Sequence, residues 1–182
     1  GDLSFIDAAI PCAASVCTKS RCEVLIAPAD KLLELLQRFP GVIAGFESRL
    51  RYVAEAMLER HRSRTEVAAS LQLFVGCDLG FVDEVAGYGE QRALLLGDAI
   101  IEEDNTEGLL VALEYGRCSV ERSGEGKVVH VGEGAVFGER TFLGMSETAD
   151  ATIRVATPMA LMLEIPRSGL EAALKGWPEL EE

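Results

Sequence analysis

The chain has 182 residues, 48% of them hydrophobic, and a net charge of -13. That apolar content supports a packed core and is too high for a disordered chain. The negative field opposes nucleic-acid backbones, which are bound by Lys and Arg neutralising phosphates, so direct DNA or RNA binding is not expected. No apolar run reaches the length of a membrane span, and no signal-peptide pattern opens the chain. Gly1 is not a start methionine, so the chain is expected to be an excerpt of a longer protein.

In chain order, residues 1–28 read as short strands and turns, with "CEVLIA" (Cys22 to Ala27) as a buried strand. Asp30 caps an amphipathic helix, "KLLELLQRF", which stops before Pro40. Residues 41–70 read as a helical connector in which Phe46, Leu50, Val53 and Met57 share one face. Near its end, Arg60, Arg62 and Arg64 surround His61. This basic stretch reads as a solvated face, and its functional reading is docking of an acidic partner or a neighbouring domain. "LQLFVGCDLGFVDEVAGYG" reads as a turn and then a helix carrying Phe81, Val82 and Val85. Short apolar runs then alternate with glycine-rich turns, a spacing that predicts a jelly roll or barrel. "RSGEGK" reads as a hairpin tip, "ATIRVAT" and "MALMLEIP" as further strands, and "SGLEAALKGW" as a closing helix.

Chemistry-bearing side chains are sparse. Cys12, Cys17, Cys22, Cys77 and Cys118 include no CxxC pair and are odd in number, so neither a zinc site nor a disulfide framework is indicated. They read as small buried thiols in a reducing cytosol. His61 and His130 stand far apart, and no base, nucleophile or metal cluster converges. No enzyme, metal or cofactor is therefore expected.

The two ends repeat one another. "GDLSFIDAAIPCAASV" from Gly1 parallels "GERTFLGMSETADATI" from Gly138, and "DKLLELLQRFP" parallels "SGLEAALKGWP". Repetition at this distance means two copies of one domain rather than a solenoid. Residues 1–40 read as the tail of a first copy, 41–70 as the connector and 71–182 as a second copy.

This pattern resembles the cyclic nucleotide-binding domain family. "LFVGCDLGFVDEVA" looks like the helix leading into the domain, "LLLGDAIIEEDNTEGLLVALEYGRCSV" like its barrel, "GEGAVFGE" like the start of the phosphate-binding cassette and "ATIRVAT" like its exit strand. The resemblance implies an α+β fold, an antiparallel β jelly roll with flanking helices. It implies that Gly138 lets backbone approach a ligand and that Glu139 accepts hydrogen bonds from a ribose hydroxyl. The family's cassette helix aims N–H groups at an anion. A family arginine a few residues on pairs with the cyclic phosphate.

That arginine is missing. Counted from Gly138, its place falls at Thr148 or Ala149, and the next residue, Asp150, is acidic. In the first copy Gly1 and Asp2 stand for Gly138 and Glu139, Cys12 occupies the arginine's place, and Ala13 is the remaining site equivalent. A charge-assisted bond contributes roughly 1.5–3 kcal/mol, and leaving a charge unpaired costs about 2–5 kcal/mol. Cyclic nucleotide affinity should therefore fall by roughly tenfold to several thousandfold. Arg140, expected to point out of the pocket, and Arg154, on the exit strand, are the substitutes to consider. Trp177 aligns with Phe39 of the other copy and reads as a core residue.

The function implied is a non-catalytic, cytoplasmic signalling module of tandem domains that regulates an effector or neighbouring domain through the connecting helix, with cAMP and cGMP bound weakly or not at all. Two alternatives are a pocket for an uncharged purine nucleoside and a ligand-free structural or interaction domain of a larger assembly.

Overall fold

Ser63 opens the first fully described helix, α1 (Arg64–Ala69), through a capping box. Its hydroxyl accepts from the Glu66 N–H, and its own N–H donates to Glu66 Oε2 at 2.8 Å. A 3-10 turn (Gln72–Phe74) and α2 (Leu79–Gly87) follow, the latter capped by Asp78, which accepts from the Gly80 N–H at 2.7 Å. In this computed structural model the described residues are 62–178 except 125, together with 17–24, 28, 31, 38, 39 and 52. The chain divides into two units, Gly1–Leu50 and Arg51–Glu182.

Among the described residues the second unit has eight strands. They are β1 (Glu90–Leu95), β2 (Ala99–Ile101), β3 (Leu109–Tyr115), β4 (Cys118–Glu121), β5 (Val128–Val131), β6 (Val136–Phe137), β7 (Thr152–Val155) and β8 (Met159–Pro166). A short helix, α3 (Glu139–Phe142), joins β6 to the loop before β7, and α4 (Arg167–Leu174) follows β8. Two four-stranded sheets run β1-β8-β3-β6 and β2-β7-β4-β5, with every pairing antiparallel. The expected α+β jelly roll is thus the observed fold.

Burial explains the strand sequences. Along β3, Val111 and Leu113 enter a core between the sheets, while Leu110 and Ala112 enter a second core against the helices. Strand β8 divides likewise: Ala160 and Met162 face the first core, Leu163 and Ile165 the second. Alternation places side chains on opposite faces. Because both faces are covered, "MALMLEIP" is apolar on both faces apart from Glu164. The helical core is closed by Val67, Phe74, Phe81, Val85 and Ala173, with Trp177 packed edge-on to Phe81 and donating to Glu84 Oε2 at 3.0 Å. Trp177 is a packing residue.

The turn from β6 into α3 depends on Gly138. Its φ of 77° is left-handed, and a Cβ there would overlap the Leu109 carbonyl oxygen. This close approach lets α3 fold back over the edge of β3.

Several expectations change. Residues 64–70, read as connector, pack into the helical core through Val67 and Ala68. Arg62 and Arg64 are exposed, in keeping with a solvated basic face, but Arg64 is not free: its Nη1 donates to the carbonyls of Gly87 at 3.2 Å and Gly89 at 2.7 Å, satisfying groups left open at the end of α2. Cys118 is buried as expected, and burial pushes its thiol up to about 11, but Cys17 and Cys22 are exposed. Cys22 to Val24 are exposed and outside any strand. The rest of "CEVLIA", the bulk of the connector, Cys12 and all the first-copy site positions lie outside the described residues.

Leu163→Ala should lower the free energy of unfolding by about 2–5 kcal/mol in urea titrations, whereas Leu96→Ala, at a residue 62% exposed, should change it by less than about 0.5 kcal/mol. Gly138→Ala should cost about 2 kcal/mol or more in the same titrations, since both the backbone angle and the Leu109 carbonyl oppose a side chain.

Candidate functional site

Where the two sheets meet α3, the structure leaves a cavity of about 260 Å3. Its apolar wall comes from Ile101, Val120, Val136, Phe137 and Ile153, and its polar wall from α3, the loop before β7 and Arg122 just beyond β4. Gly138, Glu139, Thr148, Ala149 and Asp150, the five residues singled out in the sequence, all line it. Counting along the chain from Gly138 therefore located one real concavity.

The loop that carries the arginine's place is held by backbone. The Ala149 N–H donates to the Asn105 carbonyl at 2.9 Å, and the Ala149 carbonyl accepts from the Asp104 N–H at 3.0 Å. Asp104 adopts a φ of 64° to make this pairing. Ser146 Oγ donates to the Thr148 carbonyl at 2.8 Å. Ala149 is buried with the inter-sheet core and Thr148 is half-buried, so neither position projects a charge into the cavity. At the other side α3 is only four residues long, and Thr141 Oγ1 donates back to the Gly138 carbonyl at 3.0 Å.

The cations at the cavity come from elsewhere. Arg140, expected to point outward, lines it and makes no side-chain hydrogen bond or ion pair among the described residues. Arg154 does not line it: its guanidinium pairs with Glu102 at 3.7 Å and donates to the Gly97 carbonyl. The second cavity cation is Arg122, just beyond β4, which the sequence presented only as part of a hairpin tip. Arg122 pairs with Asp150 at 3.7 Å. The signal that could have found it is strand register, since β4 pairs with β7 with Glu121 opposite Thr152, which brings residue 122 beside the end of the cassette loop. Among the lining residues two are cationic, Arg122 and Arg140, and two are anionic, Glu139 and Asp150. The cavity wall is charge-balanced. It can hydrogen-bond a polar ligand through Glu139, Thr141, Ser146 and Thr148 and enclose an apolar ring against Ile101, Val120 and Ile153.

Among the described residues, no group of three or more His, Cys, Asp or Glu is placed to hold a metal ion, and no helix is long and apolar enough to cross a membrane.

Residues 91–176 match the family model described as the cyclic nucleotide-binding domain. No match was found among curated protein sequences. Solved structures show the same fold. A cyclic nucleotide-binding-like protein from Brucella abortus aligns with a TM-score of 0.52 at 20% identity, over 63% of this chain and 99% of that one. The N-terminal domain of a transcriptional regulator from Streptomyces coelicolor aligns at 0.53 and 23% identity, over 63% and 84%. The regulatory subunit of a cAMP-independent protein kinase A from Trypanosoma cruzi, bound to guanosine, aligns at 0.53 and 22% identity, over 62% of this chain and 39% of that one. Two antiparallel sheets and these structural neighbours agree on the fold, a cyclic nucleotide-binding-type jelly roll, and residues 91–176 are the part of the chain that matches the family model.

Proposed function

We propose that this domain is a non-catalytic regulatory module that does not use cAMP or cGMP as its tight ligand. The observation that carries this reading is the charge balance of the cavity wall, with Ala149 and Thr148 where the resemblance calls for an arginine. A cyclic nucleotide brings a negative charge that needs a counter-ion. Here one guanidinium already faces Asp150 and the other stands exposed on α3. Neither is buried and aimed by its neighbours, which is what makes a charge-assisted bond worth its full 1.5–3 kcal/mol, roughly.

The same balance favours an uncharged purine nucleoside, with Glu139 accepting from ribose hydroxyls and the apolar wall covering the base. A similar fold carrying guanosine in the Trypanosoma cruzi protein is consistent with such a ligand. In this reading residues 1–40 are the tail of a first copy of the domain. The pair acts in the cytoplasm on an effector or a neighbouring domain of a larger protein.

Adenosine or guanosine at a hundred times its dissociation constant should stabilise the protein by about 2.7 kcal/mol, readable as a rise of several degrees in the melting midpoint, while equal concentrations of cAMP and cGMP should move it less. No rise with any of the four would favour a ligand-free scaffold, and submicromolar cAMP binding by calorimetry would overturn the reading. Thr148→Arg, which leaves buried Ala149 in place, should raise cAMP affinity about tenfold or more by titration calorimetry. An unchanged affinity would show that the loop cannot aim a guanidinium at the cavity.

A further inference from the structure

The Arg122–Asp150 pair has no evident structural duty. Both side chains are about half exposed or more, at 48% and 63%, and pairs of this kind contribute little to folding. Yet both line the cavity, and they reach it from separate elements, the β4–β5 hairpin and the cassette loop. The hairpin is tethered there: the Ser123 N–H donates to Glu103 Oε2 at 2.8 Å, and the Glu103 N–H donates to Thr152 Oγ1 at 3.1 Å. The cassette loop is tethered through Ala149 to Asp104 and Asn105. The two charges are thus presented to each other by anchored backbone rather than by a chance meeting of long side chains.

We propose that Asp150 is the residue that sets the charge preference of this cavity. It acts as a built-in anion that occupies Arg122, so that an entering phosphate must compete with a tethered carboxylate for the guanidinium. An uncharged riboside meets no such competition. Removing the Asp150 charge alone would leave Arg122 and Arg140 facing Glu139, an excess of one positive charge, and turn the cavity towards phosphorylated ligands. The proposal rests on the reading of the cavity as a nucleoside site. It goes beyond that reading by naming what excludes the anion, a carboxylate already present rather than only an arginine that is absent.

The test uses adenosine and cAMP, which differ by the cyclic phosphate, titrated calorimetrically into the wild-type chain, Asp150→Asn, Arg122→Gln and the double variant. Both side chains are exposed, and melting curves establish that all four proteins are folded. Asp150→Asn should lower the ratio of cAMP to adenosine dissociation constants by about fivefold or more, and adding Arg122→Gln should return it towards the wild-type value. A ratio unchanged by Asp150→Asn, with adenosine still bound, overturns the proposal while leaving the nucleoside reading intact. So does a lowered ratio that survives Arg122→Gln. If the wild-type chain binds neither compound, the nucleoside reading falls. The proposal is then decided by whether Asp150→Asn gains cAMP binding that Arg122→Gln abolishes: a gain supports it, and its absence overturns it.

Discussion

Strand β8 has no solvent side. Met159 to Ile165 are buried along the whole strand, between the second sheet on one face and the helices on the other, and β8 pairs with both β1 and β3. Each aliphatic side chain there removes from water an area that contributes about 1.5–3 kcal/mol. The remaining architecture answers that demand. The helices α1, α2 and α4 exist to cover Leu163 and Ile165, and the second sheet to cover Ala160 and Met162. The cavity lies where the second covering is incomplete, at the turn in which β6 gives way to α3. Even the ion pair of Glu164 with Arg92, at 2.9 Å, fits this constraint: it gives a carboxylate 8% exposed a partner on a buried strand, and the hydrogen bond to that carboxylate raises the Arg92 guanidinium above its ordinary value.

Two electrostatic effects of different size meet at the cavity. A guanidinium held by its surroundings and aimed at a phosphate contributes roughly 1.5–3 kcal/mol. A half-exposed pair such as Arg122 with Asp150 contributes at most about 1 kcal/mol. Arg122 is therefore a poor replacement for a cassette arginine while Asp150 faces it. The same weakness makes it a sensitive regulator of preference, because a small change in local charge decides the balance. A stability measurement would barely detect the pair, whereas a comparison of charged and uncharged ligands would.

Much of this was legible in the chain. "MALMLEIP" was readable as a strand, though not as one covered on both faces, and the helix carrying Phe81, Val82 and Val85 was readable, with all three buried in α2. Gly138 and the count from it led to five of the residues that line the cavity, because a backbone that must pass the Leu109 carbonyl leaves glycine as the residue that fits. The cations were not legible for a different reason. Arg140 sits in a helix of one turn, too short for any periodicity to show which way it faces. Arg122 reaches the cavity through the pairing of β4 with β7, a non-local register that no local pattern encodes. Arg64 is exposed as a solvated basic face should be, but its hydrogen bonds were not legible, because the carbonyls of Gly87 and Gly89 are backbone groups and carry no residue signature.

The cassette also joins the two cores. Phe137, before Gly138, packs between the sheets and lines the cavity; Phe142, at the end of α3, is fully buried among the helices. The four-residue helix thus has one foot in each core, and its far turn at Gly144 rests against the Arg167 guanidinium at the start of α4. Arg167 is also held through its N–H to the Gly108 carbonyl at 2.6 Å and its side chain to Glu171 at 2.8 Å. Close-packed interiors transmit small displacements rather than absorbing them. A ligand that repositioned α3 would therefore load Phe142 and Gly144 together, and both press on the helical layer. The opposite end of the cassette is pinned to Asp104 and Asn105 by backbone hydrogen bonds, so the contacts of α3 itself lie with the two cores.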